Sequence, residues 1–187
     1  MGGKSSRHYG LTDEKLIEYT ELTYLTRTEI LHLLKLFVDI DDIDIEYHRI
    51  AFGEIISRFP QLEHNPFRSR IRRVFSSKKD DCFSFEDLLD YASAMSDRCP
   101  STVKSAWAFK LYDFDEDGQL GLDDIVHVIK ALTEYRTTTE SRIDVNQIAQ
   151  IVLDDMDIES NSYISQSAFK HGLEKMPDFE HSFTFKI

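Results

Sequence analysis

Asp113-Phe-Asp115-Glu-Asp117-Gly118-Gln119-Leu120-Gly121-Leu-Asp123-Asp124 is the stretch of this chain whose residue types and spacing can do chemistry. Carboxylates at positions 1, 3 and 5 of a twelve-residue loop supply oxygen ligands for a hard divalent cation. Gly118 stands at position 6, where the backbone turns sharply and only glycine does so cheaply. Gln119 offers its backbone carbonyl at position 7, and Leu120 at position 8 suits pairing with a partner loop. Gly121 at position 9 brings no side chain, which leaves that coordination place to water. The predicted metal ligands are Asp113, Asp115, Asp117, Gln119 and Asp124. An acidic surface turn would share the aspartates but not the apolar residues that flank the loop on both sides.

Asp124 departs from the usual pattern, in which a bidentate Glu closes the loop. Aspartate is one methylene shorter and reaches an ion through one oxygen. Lower coordination number favours Mg²⁺ relative to Ca²⁺, so the expectation is one tight site for Ca²⁺ or Mg²⁺.

Such a loop needs a helix on each side, and the chain reads as four helix-loop-helix units. Ile55, Leu88, Ile125 and Phe169 each open the second helix of a unit. The third unit is the most regular: Phe109 and Tyr112 precede its loop, then Ile125, Val128, Ile129 and Leu132 follow at helical spacing. The fourth repeats it with Val152, Leu153 and Met156, then Phe169, Leu173 and Met176. Leu11-Thr12 with Leu16 makes a hydrophobic staple, and Thr26 to Glu29 a capping box between Leu25 and Ile30. The predicted fold is all-α: four EF-hand units in two paired lobes, 12–98 and 101–176, after an N-terminal segment 1–11 and before a C-terminal extension 177–187.

The other three loops lack a full ligand set. The fourth keeps Asp157, Glu159 and Asn161, but Ser162 replaces the glycine and Ala168 the closing acid. The second has Ser76, Lys78 and Asp80 in the first ligand places, and its Asp87 reads as a helix cap three after Ser84. The first, Ile43 to Glu54, is apolar where ligands should stand. These hands are expected to serve packing.

Composition limits the function classes. A formal charge of −12 on 187 residues argues against a general nucleic-acid binder, which needs a basic footprint. It suits a cation-binding protein with basic or amphipathic partners. Cys82 and Cys99 form no CxxC and no disulfide framework, and no apolar run approaches the ~18 residues of a membrane span. The start lacks the apolar core of a signal peptide, so a cytoplasmic protein is expected. The scattered histidines and two cysteines form no nucleophile set, so no enzyme is expected. Seven of the 22 basic residues fall within 58–79, and the default for that run is a solvated helix face. Trp107, in mid-helix, is expected in the core.

With one intact loop, one damaged and two silent, the chain resembles the calcium- and integrin-binding (CIB) protein family over nearly its whole length. The markers are Tyr24-Leu25-Thr26 with Glu29-Ile30-Leu31, and Asn65-Pro66-Phe67 followed by Arg70-Ile71 and Val74-Phe75-Ser76. Further along come Phe83 to Asp87, Ala108-Phe109-Lys110 with Tyr112 to Asp115, and Pro177-Asp178-Phe179 with Ser182-Phe183. An Asp closing the third loop is itself a feature of that family; the damaged fourth loop is a departure from it. The resemblance implies a non-catalytic adaptor or auxiliary subunit that binds an amphipathic cytoplasmic helix of a membrane protein. The implied partner classes are integrin α-subunit tails and TMC mechanotransduction channels, and the tail of this chain is most similar to the channel-associated members. A phosphatase regulatory B-type subunit and a calcium buffer are the alternatives; both normally keep several working loops.

Met1-Gly2-Gly3-Lys4-Ser5-Ser6 fits N-myristoylation at Gly2, which would place the protein at the periphery of the plasma membrane. One such chain binds a bilayer only weakly, with K ~10⁴ M⁻¹. The tail carries Phe179, Phe183, Phe185 and Ile187, too much apolar area for a free end. It is expected to line or compete for an apolar groove formed by Ile129, Leu132, Leu173 and Met176, in which a partner helix would also contact Phe179 and Phe183.

Overall fold

The computed structural model describes residues 11–38, 48–134 and 144–176. Gly2, Phe179 and Phe183 lie outside them. Among the described residues the chain is helical, as the sequence predicts, and it also contains one two-stranded ribbon that the sequence pattern does not predict. No helix there is long and apolar enough to cross a membrane.

The contacts divide the chain into two compact units. Among the described residues the first contains 11–38, 48–65 and Ile71–Cys99; the second contains Pro66–Arg70, 100–134 and 144–176.

In the first unit, α1 (Asp13–Leu22) starts at Thr12, whose hydroxyl accepts from Lys15 N–H at 3.2 Å. Both staple residues, Leu11 and Leu16, are buried. Ahead of α2 (Arg27–Val38) the capping box closes in both directions: Thr26 N–H donates to Glu29 Oε2 at 2.7 Å, and Glu29 N–H to Thr26 Oγ1 at 3.3 Å. Then come β1 (Ile50–Ala51), α3 (Phe52–Arg58) and α4 (Pro60–Glu63). The helix α5 (Arg68–Phe75) leads into the second loop, then β2 (Cys82–Phe83) and α6 (Phe85–Ala94). Antiparallel pairing of Ile50 with Phe83 and Ala51 with Cys82 joins the first and second loops. Phe85 lies at the centre of this core, with ring centroids of Tyr19 and Phe37 at 5.8 and 5.6 Å.

The second unit holds α7 (Ser101–Tyr112), α8 (Leu122–Glu134), α9 (Val145–Met156) and α10 (Gln166–Glu174). Ile125 and Phe169, expected to open the second helix of each hand, are buried, as are Phe109, Leu111 and Leu153. Phe109 and Phe169 meet edge to face at 5.7 Å. Leu120 bridges Ile164, so position 8 of the third loop pairs with position 8 of the fourth as its sequence place suggests. Trp107 differs from its expectation: it is half-buried, with Lys110 Nζ 4.5 Å from its ring centroid.

Candidate metal centre

The helix α7 ends at Asp113, whose N–H still donates to Phe109 O at 2.9 Å, and the backbone then winds around a small set of carboxylates. Gly118 N–H donates to Asp113 Oδ2 at 3.0 Å, Asp117 N–H to Asp115 Oδ1 at 3.2 Å and Gln119 N–H to Asp117 Oδ1 at 2.8 Å. Each short side chain organises the backbone a few residues ahead of it. Glu116 and Gly118 both have positive φ, 61° and 82°. The winding needs left-handed residues at loop positions 4 and 6, and Gly118 meets that need without strain.

The result is a trio: ligand oxygens of Asp113, Asp115 and Asp117 lie within 4.8 Å of one another. Asp113 is buried, and its Oδ1 has no hydrogen-bond partner. A buried carboxylate oxygen left unpaired is costly, and a cation is the group that would satisfy it. Burial pushes the Asp113 carboxyl above its ordinary range, the Gly118 N–H pulls it down, and the negative charges of Asp124 and Asp117 push it up again. An oxygen-only ligand set of this kind fits Ca²⁺.

Asp124 closes the loop in a different way. Its Oδ1 accepts from Phe114 N–H at 2.8 Å and its Oδ2 from Gly121 N–H at 3.0 Å. It is buried at the start of α8 and ties the first half of the loop to the second. Gln119 is half-buried, five positions before Asp124, with its backbone carbonyl at position 7.

Arg70 supports this loop, and sequence reasoning missed it. The expectation was a solvated basic face, yet Arg70 is buried. Its guanidinium donates to Lys110 O at 2.9 Å, to Leu111 O at 3.3 Å and to Asp113 O. Those carbonyls belong to the last turn of α7, where helix geometry leaves acceptors without partners. A cation there also complements the negative end of the helix dipole. The charge lies 5.4 Å from the Phe114 ring, whose other neighbour is His127, stacked at 5.1 Å. A signal was available: Phe67, Arg70, Ile71, Val74 and Phe75 share one helical stripe, and a charge on an apolar stripe marks a buried partner.

The fourth loop keeps the shape without the full ligand set. Ser160 and Ser162 take positive φ, 55° and 66°, at the same two loop positions. Asp157 accepts from Asn161 and Ser162 N–H at 3.0 and 2.7 Å, while Ala168 closes the loop with no oxygen.

Of the residues expected to line a groove, Ile129 and Leu173 are half-buried, while Leu132 and Met176 are 45% and 53% exposed.

No family model matches the chain. Individual relatives do. The chain is 33% identical over 185 residues to calcium and integrin-binding family member 2 of Drosophila melanogaster, covering 94% of this chain and 96% of that protein. It is 30% identical over 197 residues to family member 2 of Danio rerio, and 30% over 199 residues to family member 3 of Homo sapiens, covering both partners fully in each case.

Proposed function

The chain belongs to the calcium and integrin-binding family, and from that premise we propose that it is a non-catalytic adaptor or auxiliary subunit of a membrane protein. One tight divalent site, at Asp113, Asp115, Asp117, Gln119 and Asp124, takes Ca²⁺ or Mg²⁺. The docked element is an amphipathic cytoplasmic helix from an integrin α tail or a TMC-type channel. The supporting observation is apolar surface in the metal-binding unit: Leu132 of α8 is 45% exposed, Ile151 of α9 is 58% exposed, and Met176 after α10 is 53% exposed. Burying a side chain of that size is worth roughly 1.5–3 kcal/mol, enough for a few anchors on a helix to hold it. Myristate on Gly2 adds weak membrane attachment, and the apolar tail with Phe179 and Phe183 competes for the same groove.

The test is a titration of labelled peptides from both partner classes. One peptide binds in the presence of Ca²⁺ or Mg²⁺, Leu132→Asp weakens it roughly tenfold, and deletion of residues 178–187 leaves it at least as tight. Absence of binding by either peptide contradicts the adaptor reading. Asp124→Glu raises the preference for Ca²⁺ over Mg²⁺; an unchanged preference contradicts the mixed-ion site. Intact mass from native cells checks the lipid.

A further inference from the structure

The second loop carries no usable ligand set for a divalent ion, yet its backbone turns at the same two positions as that of the third loop. Lys79 and Asp81 stand in the left-handed region, with φ of 51° and 62°. Those are loop positions 4 and 6, the places that Glu116 and Gly118 occupy in the third loop. Neither Lys79 nor Asp81 has glycine's freedom there, so something else must hold the turn. Asp87 repeats the closure made by Asp124: it accepts from Ser77 N–H at 3.2 Å and from Ser84 N–H at 3.0 Å.

What fills this loop is a side chain from the neighbouring hand. Arg49 immediately precedes Ile50, and the pairing of Ile50 with Phe83 brings it alongside. Its Nη2 donates to Ser76 Oγ at 3.2 Å, to Asp80 Oδ1 at 2.8 Å and to Cys82 O at 2.6 Å. Its Nε reaches Asp80 Oδ2 at 3.1 Å, and its Nη1 reaches Ser77 Oγ and Asp87 Oδ2, both at 3.1 Å. Ser76, Asp80, the Cys82 carbonyl and Asp87 are loop positions 1, 5, 7 and 12, the ligand places of a calcium loop. The guanidinium therefore sits among the oxygens that would face the ion. Its planar fork suits this: it pairs with the Asp80 carboxylate through two parallel hydrogen bonds, as a point charge does not.

We propose that the second loop is a cation site whose permanent occupant is the Arg49 guanidinium, supplied by the first hand, so that this pair of hands stays in a loaded geometry whether or not divalent metal is present. Each loop is silent alone; together they make one filled site. Any metal response is then confined to the second unit. This inference is independent of the adaptor reading, because it concerns only what occupies the loop.

Amide hydrogen exchange on the full chain, in Ca²⁺ and then in excess chelator, tests it. The amides of Ser77, Cys82 and Ser84 keep their protection on chelation, while those of Phe114 and Gly121 lose roughly tenfold or more. Loss of protection at Ser77 and Cys82 on chelation overturns the proposal, and this arm needs no variant. In Arg49→Ala the same second-loop amides exchange roughly tenfold faster, and added ethylguanidinium restores them where tetramethylammonium does not. Wild-type protection in Arg49→Ala, or equal restoration by both cations, overturns it. Calcium titration of the third loop is unchanged in that variant.

Discussion

Leu120 and Ile164 exchange both backbone hydrogen bonds, Leu120 N–H to Ile164 O at 3.1 Å and Ile164 N–H to Leu120 O at 2.9 Å. The bridge joins the third loop to a loop that lacks its closing acid, so order gained in one is expected to pass to the other. Calcium is expected to slow amide exchange at Ile164 together with Leu120, by roughly tenfold. An Ile164 amide indifferent to calcium would show that the two loops are uncoupled.

Arg70 gives a stability prediction. Arg70→Met keeps the length of the stem but leaves the Lys110, Leu111 and Asp113 carbonyls without their donor. Hydrogen bonds from a charged donor contribute about 1.5–3 kcal/mol, which in a chain of 187 residues lowers the unfolding midpoint by roughly 2–4 °C per kcal/mol. Thermal unfolding followed by circular dichroism in saturating Ca²⁺ measures it. An unchanged midpoint would mean the guanidinium contributes nothing to the end of α7.

Arg70 also marks where the sequence stops being readable. The spacing of Asp113, Asp115, Asp117 and Gly118 is local, because each residue acts on the backbone next to it, and so loop and helices could be read directly. The caps at Thr12, Thr26 and Ser84 were legible for the same reason: their partners lie three residues away. Arg70 and Arg49 act across 40 and 31 positions, on Lys110 and Asp80. A basic residue in a basic run defaults to solvent; only the fold shows which one is drawn inside. Exposure of Leu132 against the half-burial of Ile129, three residues apart on α8, likewise depends on the helices packed against α8, which periodicity along α8 does not specify.

The hydrogen bond from Arg49 holds the Asp80 carboxyl down to about 2, helped by the Cys82 N–H and the Ser76 hydroxyl. A carboxyl depressed in the folded state stabilises it at pH above the ordinary carboxylate range near 3.9 and loses that contribution as pH falls toward 2. Carboxyl carbon shifts across an acid titration should therefore show Asp80 titrating well below the ordinary carboxylate range. Arg49→Ala should raise it, with the Cys82 N–H and the Ser76 hydroxyl still holding it down in part. Ordinary titration in the wild-type chain would contradict the close pairing.

Calorimetric titration of Ca²⁺ into the metal-free chain, beside Asp113→Ala, tests the central claim most directly. Asp113 is the buried carboxylate with an unpartnered oxygen, so its loss removes the side chain of the trio that most calls for a cation. The wild-type chain is expected to bind one equivalent tightly and the variant to lose that binding. Two comparable strong sites in the wild-type chain, or undiminished binding by Asp113→Ala, would contradict a single centre built on the third loop.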